Sequence, residues 1–191
     1  DEYEIPLVLQ DRKFKEDGSL HYPTAVPDEQ GGGDGSYPTQ SIIPRFYGDT
    51  SVVNGKAWPR LSVEPRKYRF RILNGANSRF YNLKVLSYDE PSGETGGGGP
   101  AFTQIGNDGG LLSEPVTVED RLEIGSSQRA DVVVDFTDYA GETLLLHNNA
   151  PAMYRGAAGA EQDDSEPLSE VMLFDVSDSA SEQDTSQIPS R

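Results

Sequence analysis

Asn54–Val85 reads NGKAWPRLSVEPRKYRFRILNGANSRFYNLKV, and the fold turns on how this stretch is read. From Lys67 to Leu73 the pattern alternates: Tyr68, Phe70 and Ile72 fall on one face, Lys67, Arg69 and Arg71 on the other. A side-chain period of two belongs to a strand with one face buried and one wet, as an antiparallel sheet requires. Just upstream, Asn54-Gly55 lies between the apolar Val52-Val53 and Lys56-Ala57-Trp58. Both central residues of a type I′ turn need positive φ, which Asn and Gly tolerate, so the pair predicts a tight hairpin.

Working outward, similar short runs occur at Ile5–Leu9, Leu61–Val63, Phe80–Leu86, Phe102–Ile105, Val116–Val118, Leu122–Ile124, Val132–Phe136, Leu144–Leu146 and Val171–Val176. They recur every ten residues or so, broken by Gly, Pro, Asn and Asp, the spacing of a β-sandwich or barrel rather than of βαβ units. No segment carries a helical period. Tyr22–Pro44, Ser92–Pro100 and Ala150–Pro167 are rich in small, acidic or turn-forming residues and read as surface excursions. After Val176 the chain reads SDSASEQDTSQIPSR, with no apolar pattern before Ile188. The expected organisation is one all-β domain over residues 1–177 and an acidic linker or tail over 178–191.

Composition narrows the function classes. A chain of 191 residues with 35% hydrophobic content can bury one core. No run reaches the roughly 18 apolar residues of a membrane-crossing helix. The opening at Asp1, with a strand signal by Ile5, reads as a fold without a leader, cut from something longer. Thirty-two acidic residues against 16 basic ones give a formal charge of −16, which opposes binding to nucleic acid or anionic lipid. Only five lysines are present: Lys13, Lys15, Lys56, Lys67 and Lys84. Such an excess of acid suits solubility in concentrated salt, where screening suppresses self-repulsion; the plainer reading is an acidic surface.

Chemistry-bearing residues are sparse. There is no cysteine, hence no disulfide, thiolate ligand or thiol nucleophile, and the two histidines, His21 and His147, belong to no His-x-His pair. A transition-metal centre needs several converging imidazole or thiolate donors, so no metal ligand and no catalytic residue is assigned. Gly106–Gly110 (GNDGG) and Gly96–Gly99 lack the Lys-Ser/Thr of a phosphate loop and the ligand spacing of a calcium loop, and read as turns. No GxSxG elbow is present, and with 32 acids some carboxylate pairs are inevitable and uninformative. Arg129 and Asp131, flanking Ala130 before Val132–Phe136, are expected to lock a loop by arginine–carboxylate pairing. Trp58 is expected to fill a core edge or pack against a neighbouring domain. Asn54, Gly55, Trp58, Arg129 and Asp131 are thus structural candidates.

Several phrases occur in a fixed order: IPLVLQDRKF from Ile5, EDGSLHYP from Glu16, the Asn54–Leu83 stretch, IGNDGGLL from Ile105, RADVVVDF from Arg129 and LLLHN from Leu144. Together they resemble the middle, second domain of a three-domain multicopper oxidase of the spore-coat laccase and bilirubin oxidase type. The resemblance implies a cupredoxin-like Greek-key β-sandwich. It implies that copper is held by neighbouring domains, on His-x-His pairs and a His-Cys-His segment, and that this chain holds none. The parent would oxidise phenolic or similar donors and reduce oxygen to water; this piece would be scaffold, inactive alone, with the flanking cupredoxin domains as partners and a tendency to self-associate through the faces they cover. The resemblance also places the loop Ala150, Pro151, Ala152, Met153, Tyr154, Arg155 and Gly156 at the rim of the donor pocket. There the chain departs from spore-coat members, which carry a Gly-Cys-Gly-like segment. A different class stands beside this reading: a stand-alone β-sandwich binding carbohydrate or protein through loop aromatics such as Tyr37, Tyr47 and Tyr154.

Overall fold

The computed structural model describes residues 2–22, 24–25, 41–42, 45–152 and 167–188. Its strands, in chain order, are β1 (Glu4–Arg12), β2 (Thr24–Ala25), β3 (Ser41–Ile42), β4 (Thr50–Val53), β5 (Lys56–Ala57), β6 (Arg60–Val63), β7 (Lys67–Asn74) and β8 (Tyr81–Asp89). They continue as β9 (Glu94–Thr95), β10 (Phe102–Asn107), β11 (Gly110–Val118), β12 (Leu122–Ile124), β13 (Arg129–Asp135), β14 (Thr143–Asn148) and β15 (Glu170–Val176). Among the described residues the one helical element is a single 3₁₀ turn, Thr137–Tyr139. Each strand anticipated from the apolar runs is present.

Two sheets face each other. The seven-stranded sheet has the order β11-β10-β13-β7-β1-β4-β5; the six-stranded sheet runs β12-β8-β14-β15-β6, with β9 paired to β8. Most neighbours are antiparallel, but β1 runs parallel to β7 and β15 parallel to β6. These two pairings join distant parts of the chain, so each sheet is closed by long-range contact rather than by hairpins alone.

The alternation in β7 is realised as the centre of this arrangement. Tyr68, Phe70 and Ile72 are buried, while Lys67, Arg69 and Arg71 point outward. Phe70 packs at 5.5 Å between ring centroids from Phe174 of β15, and Phe136 reaches the same ring at 5.3 Å, so aromatics bridge the two sheets. Leu7, Leu9, Val132 and Val134 join from one side, and Tyr81, Leu83, Leu144 and Leu146 from the other. Each such side chain contributes about 1.5–3 kcal/mol by leaving water, which makes this layer the main source of stability.

Three inward registers end on polar groups. In β1 the inward series Leu7, Leu9 continues to Asp11; in β7 it ends on Asn74; in β14 it ends on Asn148; all three are fully buried. A buried polar group is tolerated when it is bonded, and each of these side chains is bonded through at least one polar atom. Asn74 donates to the carbonyls of Arg79 (2.8 Å) and Ile124 (3.0 Å) and accepts from the Ala76 N–H (2.9 Å). Asp11 takes the Gly48 N–H at 2.7 Å and the Arg79 Nε at 3.0 Å. Gly48 is required there: a Cβ would stand 2.5 Å from the Arg12 backbone. These locks fix one end of the sandwich and the loops that leave it.

Candidate functional site

The segment Ala150–Gly156 leaves the end of β14, and Asn148 sets its start. The Asn148 Oδ1 accepts the N–H groups of Asn82 (2.8 Å) and Ala150 (3.1 Å), and its Nδ2 donates to Leu168 O (3.2 Å) on the returning chain. One buried amide therefore ties β8, the departing loop and the approach to β15. Ala150 and Pro151 are buried and Ala152 is half-buried. Met153, Tyr154, Arg155 and Gly156 lie outside the described residues, as does Tyr37.

Beside this loop, on the outward face of β14, His147 meets Arg121. Arg121 Nη1 donates to the Asn82 carbonyl (3.2 Å) and lies 3.3 Å from His147 Nδ1. Arginine has no lone pair to offer, so Nδ1 is the acceptor and the imidazole carries its proton on Nε2. Burial, and then the charge of Arg121, hold the His147 pKa below its ordinary value. Burial also lowers the Arg121 pKa, against the pull of Asp120.

Copper would need imidazole or thiolate lone pairs converging on one point. The Nδ1 of His147 is engaged by a cation that repels a metal ion. Among the described residues no three His, Cys, Asp or Glu side chains gather. The His21 backbone N–H donates to Lys13 O at 2.8 Å. Among the described residues, the donors that copper would need do not converge.

The structural candidates fall at separate places. Asn54 and Gly55 have φ of 49° and 82°, and form the turn between β4 and β5. Asn54 also reaches β1: Oδ1 accepts the Val8 N–H and Nδ2 donates to Pro6 O, both at 2.8 Å. Trp58 follows with φ of 39°, a strained value for a bulky residue, and is 49% exposed. It edges a small hollow lined also by Tyr88, Leu145, Glu170, Met172 and Leu173.

Arg129 pins the β10–β11 turn. Its backbone N–H donates to Asp108 Oδ1 (2.7 Å), its Nη2 to Asp108 O (3.2 Å), and its Nε lies 3.2 Å from Asp108 Oδ1. Asp131 does not share in this; it takes Arg69 in a two-pronged bond, with Nε at 2.8 Å from Oδ1. Arg69 also meets Glu4 at 3.1 Å, so β13, β7 and β1 are laced across their outer face.

Sequence reasoning passed over the buried Asp11–Arg79 pair and the Arg121–His147 contact. For Asp11 a signal existed: the alternation of Leu7 and Leu9, carried two residues on, points its carboxylate into the core. Arg79 and Arg121 sit outside any alternating run and gave none.

No protein-family model matches the chain. Relatives are found among oxidases. A laccase of Bacillus subtilis (strain 168) is 41% identical over 189 residues, covering 99% of this chain and 32% of the laccase. A laccase of Haloferax volcanii is 43% identical over 154 residues, covering 78% of this chain and 23% of the relative. Among solved structures, the McoA multicopper oxidase of the hyperthermophile Aquifex aeolicus superposes with a TM-score of 0.68 at 32% identity, covering 94% of this chain and 32% of that one. The chain spans about a quarter to a third of the length of the relatives it matches. Its fold is a cupredoxin-like Greek-key β-sandwich, and over nearly its whole length it is homologous to a segment of laccases and other multicopper oxidases.

Proposed function

We propose that the chain is the middle domain of a multicopper oxidase, one that holds no copper itself and acts as scaffold between copper-bearing neighbours. The observation that carries this reading is a pairing of coverage with chemistry. Homology runs along 99% of the chain but only 32% of the laccase, and the piece has no cysteine and two histidines without a His-x-His pair. In the parent, copper supplies the electron-transfer chemistry: phenolic or similar donors are oxidised and oxygen is reduced to water. This chain contributes rigidity, through the bridged aromatic core, and part of the donor-pocket wall, through the Ala150–Gly156 segment that Asn148 anchors.

The partners in this reading are the flanking domains of the same polypeptide. Leu111 (69% exposed) on the edge strand β11 and Trp58 offer apolar surface to them. Without those neighbours the chain self-associates through such patches. The acidic balance belongs to a protein working in concentrated salt, and a Haloferax laccase among the relatives accords with it.

The decisive test is the gene. Extending the reading frame both ways is expected to give His-x-His pairs upstream and a His-Cys-His segment downstream. Stop codons or unrelated domains on both sides would overturn the proposal. No observation favours a stand-alone module for carbohydrate or protein.

A further inference from the structure

The acidic stretch after β15 is bound back onto the sandwich. Its focus is Arg66, whose side chain is 6% exposed and whose guanidinium lies 3.5 Å over the ring of Tyr3. Three carboxylates surround it: Glu64 at 3.6 Å, Glu182 at 3.8 Å and Asp184 at 3.7 Å. Two of the three belong to the segment 178–188. A buried guanidinium is costly unless counter-charges sit close, and with the segment away Arg66 would keep only Glu64 of these.

Asp184 makes further bonds of its own. Its Oδ2 accepts the Lys67 backbone N–H at 3.1 Å and the Lys67 Nζ at 3.4 Å, and its Oδ1 accepts the Ser186 N–H at 2.8 Å. Its carboxylate is 12% exposed. Burial disfavours its charge, but the bonds from Ser186 and Lys67 outweigh that and hold the pKa well below the usual carboxylate range. Glu64 is likewise held down, chiefly by a hydrogen bond from Ser181 of the same segment. Past Asp184, Ser186, Gln187 and Ile188 edge a hollow of about 280 Å³ whose apolar wall is Tyr3, Tyr68, Ile105 and Val133. Ile188 is the one large apolar residue after Val176, and it stands where an apolar wall is available.

We infer that the groove between the starts of β1 and β7 is a docking surface and that the acidic segment 178–188 is its occupant. Charge complementarity chooses this occupant: Arg66 and Lys67 meet Glu182 and Asp184, and Ile188 lines the same hollow as Tyr3 and Tyr68. The segment is a strap held against the start of β7 and the hollow that Ile105 lines. This holds whether or not the chain is a domain of an oxidase.

The Lys67 amide is the reporter, because its hydrogen bond runs to Asp184. Residue-resolved amide exchange on the full chain is the experiment. In the unaltered protein the Lys67 and Ser186 amides are expected to exchange slowly, and Asp184→Ala to speed both by at least about tenfold while Phe70 stays slow. Glu182→Gln, which leaves Asp184 in place, is expected to speed them less. Equal rates for Lys67 with and without Asp184, or nanosecond mobility of 181–188 in the unaltered chain, would overturn the inference.

Discussion

Asp11 and Arg79 meet at 3.0 Å with side chains 0% and 4% exposed, so a full ion pair lies inside the sandwich. Removing one partner strands the other in a medium that cannot solvate it. Asp11→Ala is expected to cost about 3–5 kcal/mol, measured as a lowered urea midpoint with an unchanged slope. Replacing both residues by apolar ones of similar volume is expected to recover most of that loss. A cost below about 1 kcal/mol for the single change would show that the pair is solvated in solution.

Asn54 joins two tasks, a left-handed turn and a clamp on β1. Asn54→Gly keeps the turn conformation and deletes the side-chain bonds to Val8 and Pro6; Asn54→Ala deletes the bonds and strains the turn as well. The Ala variant is therefore expected to lose more, with about 1 kcal/mol separating the two in thermal or urea unfolding. Equal losses would mean that the positive φ contributes nothing.

His147 has its pKa lowered in the folded state, first by burial and then by Arg121. The unfolded chain therefore takes up a proton near the ordinary value of about 6.5 while the folded chain resists. The stability this contributes is fully present above that value and is lost as pH falls through it toward the folded pKa. An NMR titration is expected to place His147 below the free imidazole, and His147→Gln to flatten the slope of stability against pH in this window. A folded midpoint at or above the free value would contradict the assignment of Arg121 as its neighbour.

With 32 acidic and 16 basic residues, self-repulsion is a term that salt can remove. Screening tightens from about 10 Å at 0.1 M to about 3 Å at 1 M, so the melting temperature is expected to climb across that range. A protein most stable in dilute buffer would count against a saline setting.

What the sequence revealed depended on the range of the interaction. The alternation Tyr68, Phe70, Ile72 is local, and so the strand, its buried face and the all-β class were legible from it. The Asn54-Gly55 turn is local as well. The parallel pairing of β1 with β7, Leu7 opposite Ile72, joins residues far apart and leaves no mark in either segment. The same limit hid the partners of the site residues. Arg129 carried the look of a loop lock, but that it binds Asp108, and that Asp131 binds Arg69, depends on which strands stand side by side. The strap was illegible for a further reason. Its residues are polar and unpatterned, and what orders them is Arg66, a cation in a different part of the chain.

Whether the chain holds a copper centre of its own is read by copper titration of the purified protein, with absorbance and binding heat followed together and a phenolic donor added at the end. No intense blue absorption, no stoichiometric tight binding and no turnover are expected, because His147 faces Arg121 and the sequence has no cysteine. A saturable blue centre at one copper per chain, or oxidation of the donor by the chain alone, would contradict that expectation.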